Sequence, residues 1–369
     1  MNWERMRQSI AWFMSIVAAA VLVGSTFIAC GGAVAHAAPA PRAIETTPAF
    51  GIPHETSKVT LHETSIDGPA FWSQESDGAP VGPLTVLAWT GTDRRLNFIY
   101  SNNGTAFFGK VTLNETSFAR PAVVRGPGAD GQASTAPVAL AWTGTDPGRH
   151  LNVLYRLANG TTMKLTVPNN NSFTAPALGW LSQDTINKTL LLGWAGTDEG
   201  HSLNLMPISI TSDGLVAGTK SIFFGFHSFG PPQLGVAVPQ GSLASAFDVL
   251  SWSDLATHRL AWALSPDGKT WTQKPMFPEA SAAGPGMKGA LPVHIPQYWT
   301  AWTGLDPAHH VNVLYAVNFD AWSTNFVKGT LPETAVGGSQ VGFIFGDTIL
   351  VAWTGTDSLH HLNVAMIGV

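Results

Sequence analysis

The sequence predicts an all-β chain: a six-bladed β-propeller of four-stranded antiparallel blades, closed by an N-terminal strand that completes the last blade. Three observations predict it. A tryptophan phrase, first seen as Leu87-Ala88-Trp89-Thr90-Gly91-Thr92-Asp93 followed by Leu96-Asn97, recurs at Trp89, Trp142, Trp194, Trp252, Trp302 and Trp353. The spacings are 53, 52, 58, 50 and 51 residues, close to the period of a propeller blade. Gly occurs 38 times and Pro 25 times in 369 residues, while charged residues make up only 12%, a balance that disfavours long solvated helices. Finally, one repeat is divided between the two ends of the chain.

Taken in order, the chain opens with Arg5 and Arg7 ahead of an apolar stretch over 10–29 and then Ala35-His36-Ala37. Residues 1–37 therefore read as a signal peptide cleaved after Ala37; a membrane-spanning anchor is the alternative. Phe27-Ile28-Ala29-Cys30 also resembles a bacterial lipobox, in which Cys30 would be lipidated and tether the chain to the outer face of the cell membrane. Cleavage after Ala37 removes the only cysteine, leaving neither a disulfide nor a thiol nucleophile. Residues 38–55 form a flexible leader, and 56–65 the closing outer strand. Within that strand, Lys58-Val59-Thr60-Leu61-His62-Glu63-Thr64-Ser65 matches Lys110-Val111-Thr112-Leu113-Asn114-Glu115-Thr116-Ser117 at seven of eight positions.

The blades fall at about 68–113, 119–166, 174–224, 229–276, 288–332 and 337–369. Each starts with a short strand A after a proline, as in Pro69-Ala70-Phe71 or Pro176-Ala177-Leu178. Strand B ends in the tryptophan phrase, whose Gly-Thr-Asp is turn chemistry. Strand C is Leu96-Asn97-Phe98-Ile99-Tyr100 and its copies. Asn103-Gly104, Asn159-Gly160, Asp213-Gly214 and Asp267-Gly268 then turn the chain into strand D. The last copy stops after a strand C, Leu362-Asn363-Val364-Ala365-Met366-Ile367, so the closing strand supplies its strand D and removes two sheet edges. A solenoid has no reason to divide a repeat in this way. An aromatic content of 10% and a mean hydropathy of +0.12 supply a large core. A net charge of -5 without a Lys/Arg run argues against a nucleic-acid partner.

Ser265-Pro266-Asp267-Gly268-Lys269-Thr270-Trp271 looks like an Asp-box with one residue fewer, and Ser101-Asn102-Asn103-Gly104 with Phe107 is a weakened copy. From about residue 56 to the end, the chain resembles secreted bacterial proteins of the sialidase-like, Asp-box (BNR) superfamily. The resemblance implies that Asp267 and Trp271 are structural, at the C to D turn on the face opposite an active site. For an exo-α-sialidase it further implies an arginine triad, a tyrosine nucleophile with a glutamate partner, and an acid. The Arg-Ile-Pro signature would fall near Asp67-Gly68-Pro69 or Ala119-Arg120-Pro121, and neither matches in register. Tyr100, Tyr155 and Tyr315 share one repeat position, which leaves Tyr298 as the catalytic candidate.

Three residues before the Asn of each strand C stand Arg94, Arg149, His201, His309 and His360, with His258 at the same count in the fourth blade. Asp93, Asp146, Asp198, Asp306 and Asp357 precede them at the turn; the fourth blade departs, with Ser253-Asp254-Leu255. Such a ring of B to C loops can bind acidic or polyhydroxylated sugars, the basic residues donating and the carboxylates accepting hydrogen bonds. Alternatively, each Asp caps its own turn and bonds a neighbouring His, needing no ligand. Trp89, Trp142, Trp194, Trp252, Trp302 and Trp353 read as mid-sheet packing; Trp72, Trp180, Trp299 and Trp322 are the sugar-stacking candidates. His309-His310 and His360-His361 alternate across a strand and so cannot chelate one ion as pairs; no metal or cofactor is expected. The sequons at Asn103, Asn114, Asn159, Asn170 and Asn187 matter only in a eukaryotic secretory pathway. The resulting expectation is an exported, monomeric, noncatalytic recognition module for glycans. The alternatives are a sialidase-like exo-glycoside hydrolase and a protein-interaction scaffold.

Overall fold

The computed structural model describes residues 51–73, 85–126, 137–157, 159–182, 184, 188–237, 246–289, 298–316, 326–344 and 348–369. The signal peptide, Cys30, the leader up to residue 50, Asn187 and Trp322 lie outside them. Among the described residues every regular element is a β-strand.

Strand β1 (His54–Thr64) is followed by a four-stranded sheet of β2 (Ala70–Ser73), β3 (Thr85–Thr90), β4 (Arg95–Ser101) and β5 (Phe107–Thr116). A second comprises β6 (Ala122–Arg125), β7 (Val138–Thr143), β8 (His150–Arg156) and β9 (Thr162–Asn171). The third has β10 (Ala177–Trp180), β11 (Thr189–Ala195) and β12 (Ser202–Thr211), with its outer edge shared between β13 (Gly214–Ala217) and β14 (Ser221–His227). The fourth is β15 (Gln233–Ala237), β16 (Phe247–Ser253), β17 (Leu260–Ser265) and β18 (Thr272–Gln273). The rest, β19 (Gly286–Gly289), β20 (Tyr298–Thr303), β21 (His310–Ala316), β22 (Val327–Ile344), β23 (Thr348–Gly355) and β24 (His361–Gly368), joins β1 in one seven-stranded sheet.

That large sheet has a simple cause. Strand β22 pairs β21 through its first half and β23 through its second, with a register break between Val336 and Gln340. It is thus the outer strand of one group and the inner strand of the next, and it runs unbroken across residues 332–337, where the sequence suggested a gap. At the far edge β1 pairs β24 antiparallel, Val59 opposite Val364 and Thr60 opposite Asn363.

Burial follows position within each group. Every residue of β3, β7 and β20 is buried, as expected of apolar runs covered on both faces. The outer strand β5 alternates between exposed and half-buried. The core lies between successive sheets: Trp194 packs with Val153, Tyr155, Leu178 and Met206, and all six repeat tryptophans are at most 1% exposed.

The inner strands meet in turn, β2 on β6, β6 on β10, β10 on β15, β15 on β19, β19 on β22 and β22 on β2. The approach there is close. A Cβ on Gly68 would collide with the Gly338 carbonyl oxygen, and one on Gly284 with that of Pro231, so only glycine fits. Hydroxyls link each group to the next: Ser117 Oγ donates to the Thr143 carbonyl (3.2 Å) and Thr143 Oγ1 to that of Thr174 (2.6 Å). Thr90 reaches Ala119 (2.7 Å), Thr303 reaches Gly337 (2.6 Å) and Thr354 reaches Asp67 (2.6 Å) in the same way.

Candidate ligand-binding site

The Gly-Thr-Asp turn is built around its carboxylate. Asp146 Oδ1 lies 2.6 Å from His150 Nδ1, Asp306 Oδ1 2.7 Å from His310 Nδ1, and Asp357 Oδ1 2.8 Å from His361 Nδ1. In the third group Ser202 Oγ donates to Asp198 (2.7 Å), and in the first the Arg95 N–H donates to Asp93 (3.0 Å). The partner is therefore the residue after the basic column. Burial alone would raise the carboxyls of Asp146, Asp306 and Asp357, but the histidine and backbone hydrogen bonds outweigh it and hold all three below the usual value. The glycine of the phrase leaves room for this arrangement: a Cβ on Gly144 would lie 2.5 Å from Asp146 Oδ2.

The basic column stands at left-handed positions of the backbone. Arg94, Arg149, His201, His258, His309 and His360 all have left-handed conformations, with φ of 64, 49, 47, 57, 56 and 57°, a region that costs most L-residues energy. Their N–H groups close the turn, as from Arg149 to the Asp146 carbonyl (2.9 Å), and their carbonyls accept from the following strand, as Arg149 does from Ser172 (3.3 Å). Three side chains lie on aromatic rings: Arg149 4.0 Å from the Phe118 centroid, His201 3.7 Å from Phe173, and His258 3.8 Å from Phe229.

The next shell comes from residues the sequence reading did not select. Asn152 Nδ2 donates to the His150 carbonyl (3.0 Å) while its Oδ1 accepts from Thr166 on the outer strand (2.7 Å). Asn97 with Thr112, Asn312 with Thr330 and Asn363 with Thr60 repeat the pattern. Two residues before each threonine stands a lysine that pairs with a glutamate of the preceding group, on its outer strand in three cases and in the segment after β18 for Glu279. The pairs are Lys110–Glu63, Lys164–Glu115, Lys328–Glu279 and Lys58–Glu333, at 2.5, 2.7, 2.5 and 2.6 Å. Three of these ammonium groups lie over a repeat tryptophan, Lys110 on Trp89, Lys164 on Trp142 and Lys328 on Trp302, at 5.4–5.5 Å. The signal was visible in the sequence as the shared Lys-x-Thr-Leu-x-Glu-Thr of 58–64 and 110–116.

Between successive sheets these side chains line grooves. One is a cavity of about 310 Å³ bounded by Trp302, Asp306, His310, Asn312, Lys328 and Glu279. Another, of about 270 Å³, is bounded by Trp194, Asp198, Ser202, Asn204, Lys220 and Phe224. A third is filled by the chain itself, Phe226 stacking on Trp252 at 4.9 Å. The first two grooves join carboxylate, amide and ammonium groups above an indole floor, with an imidazole in the first and a hydroxyl in its place in the second, a donor and acceptor set suited to hydroxyl-rich ligands.

The remaining predicted residues lie elsewhere. Asp267 Oδ1 accepts from the N–H groups of Lys269 (2.8 Å) and Thr270 (2.7 Å), and Trp271 Nε1 donates to the Gly268 carbonyl (3.3 Å). Those backbone bonds hold the Asp267 carboxyl at about 2. Asn103 makes the same turn with Thr105 and Ala106. Tyr298, in β20, is 1% exposed, as is Trp299. Trp180 donates to the Arg125 carbonyl (2.7 Å), and Trp72 lies 5.9 Å from both the Arg125 and Lys288 cations.

No protein-family model and no curated protein matches the chain. Solved structures do. The GH93 α-L-arabinofuranosidase of Fusarium graminearum, in complex with arabinobiose, is 12% identical with a TM-score of 0.55, over 85% of this chain and 97% of that one. The Aleuria aurantia lectin, as a point mutant in complex with Fucα1-6GlcNAc, is 11% identical with a TM-score of 0.52, over 84% and 96%. A protein of unknown function from Dyadobacter fermentans is 13% identical with a TM-score of 0.56, over 86% and 99%. At these identities the likeness is one of fold: an all-β, propeller-like arrangement of antiparallel sheets, shared with a lectin and a glycosidase.

Proposed function

We propose that this chain is an exported, noncatalytic glycan-recognition module of the sialidase-like, Asp-box kind, a six-bladed propeller that holds sugars in the grooves between neighbouring blades. The observation that carries the reading is the repeated Asp, His, Asn, Lys and Glu set over a buried tryptophan. Most sites of catalysis bring together one asymmetric constellation of groups with separated pKa values; this set recurs whole around Trp142, Trp302 and Trp353, and in part around Trp89 and Trp194. Six blades are supported by six tryptophan phrases and by inner strands that pack in succession back to the first. Closure of the last blade by the N-terminal strand is supported by the β1–β24 ladder. In this reading the Asp column serves the groove and the basic column serves the turn. Export is inferred from the signal-like N-terminus.

A glycan-array screen of residues 38–369 tests the proposal, run beside hydrolysis assays on fluorogenic sialosides and arabinofuranosides. Binding without turnover is expected. Turnover would favour the hydrolase reading, which the fold likeness to an arabinofuranosidase keeps in view.

A further inference from the structure

One groove lacks a component that its counterparts contain. Asn204 faces Ile222 across the β12–β14 ladder as Asn97 faces Thr112 across β4–β5, so Lys220 occupies the place of Lys110. The glutamate that should meet it, five residues after the lysine of the preceding outer strand, is replaced by Asn169. One residue is also inserted there before Ser172, and Asn169 adopts a left-handed φ of 57°. Lys220 is exposed, and among the described residues it has no ion pair or hydrogen bond.

Two further polar groups lack a donor at the same place. With Ile222 in place of threonine, Asn204 Oδ1 has no hydroxyl donor, although its Nδ2 still donates to the Ser202 carbonyl at 2.8 Å. Asn170 is 9% exposed, and its Oδ1 is buried without a partner, a state that ordinarily costs stability. The wall beside them is apolar and open, with Phe224 76% and Ile222 42% exposed.

The same hairpin explains the blocked neighbour. Strand β14 breaks register between the Leu203–Phe223 and Ser202–His227 pairs. The bulge leaves Phe224 exposed while Phe226 stacks on Trp252.

Resting on the glycan-binding reading above, we propose that the groove between β9 and β14 binds a carboxylated monosaccharide unit, whose carboxylate pairs with Lys220 in place of the missing glutamate. The sugar hydroxyls donate to Asn204 Oδ1 and Asp198, and one ring face packs on Phe224. A cavity of about 270 Å³ takes one sugar ring, being smaller than sites for drug-sized ligands, roughly 300–1,000 Å³.

The test is saturation-transfer NMR on residues 38–369 with methyl β-D-glucuronide and, in parallel, methyl β-D-glucoside. The glucuronide should bind with a Kd of about 1 mM, a reasonable affinity for so small a ligand. Lys220→Gln should weaken it about tenfold or more, Lys220→Arg should retain it, and neither should move the melting temperature, because the side chain is exposed and unpartnered. Glucuronide binding unchanged in Lys220→Gln would overturn the assignment and leave glycan recognition elsewhere intact. Failure of the glucuronide to bind, while the array shows other glycans bound, would overturn it in the same way. Failure of both probes and of the whole array would remove the glycan reading together with this groove's role.

Discussion

Asp248 gives the account a quantitative test away from the grooves. Its side chain is 1% exposed within β16; Oδ1 accepts from the Ser182 N–H at 2.8 Å, and Oδ2 is buried without a partner. Burial raises its pKa from 3.8 to about 6, against the lowering effect of the Ser182 backbone hydrogen bond and with a smaller push from the nearby Asp267 charge. That difference makes the ionised form about 3 kcal/mol costlier in the folded state, at 1.36 kcal/mol per pH unit. Between 3.8 and about 6 the folded chain binds more protons than the unfolded one, so this group's contribution to stability falls as pH rises through that window. Asp248→Asn cannot ionise, so the variant's stability relative to the natural chain should climb by about 2–2.5 kcal/mol from near pH 4 to near pH 7. Any fixed packing cost of the amide cancels from that slope. Urea unfolding at several pH values, with equal m-values for the two proteins, measures it. A pH-independent difference would refute the reasoning.

The turn network supplies two further predictions. Gly304→Ala places a Cβ 2.5 Å from Asp306 Oδ2 and 2.8 Å from Asn312 Nδ2; it should destabilise by about 1–3 kcal/mol, seen as a lower urea midpoint at unchanged m. Asp146, Asp306 and Asp357 have lowered folded pKa values because their histidine and backbone hydrogen bonds outweigh burial. Their stabilisation is therefore present above the unfolded value of 3.8 and is lost as pH falls through the folded values. A chain carrying Asn at all three positions should show a shallower acid limb in a melting-temperature profile than the natural chain, and identical limbs would count against the network.

The repeat was legible because its elements are local: the tryptophan phrase, the Gly-Thr-Asp turn and the Asn-Gly hairpins each lie within a few residues. The basic column was equally visible, but its backbone conformation was not. Arg94 and His360 read as hydrogen-bond donors in one dimension, and the backbone at each also holds a left-handed angle that no residue count reports. The lysine–glutamate pairs escaped because Lys110 and Glu63 lie 47 residues apart and Lys328 and Glu279 49; only the packing of neighbouring groups brings them together. The 58-residue spacing between Trp194 and Trp252 is the longest of the five. That the extra length forms the divided edge β13–β14, opening one groove and filling another, depends on a bulge whose position the pattern does not encode. Asp267 is the opposite case: its turn closes entirely within 265–271, so its partners lie within the segment itself.

The central claim is that sugars sit between neighbouring groups of strands, and a crystal structure of residues 38–369 with the best-binding array glycan tests it most directly. The account predicts ligand density in the grooves above the repeat tryptophans, hydrogen-bonded to the Asp, Asn and Lys side chains. Ligand bound where the inner strands converge, or on the face carrying Asp267, would contradict it.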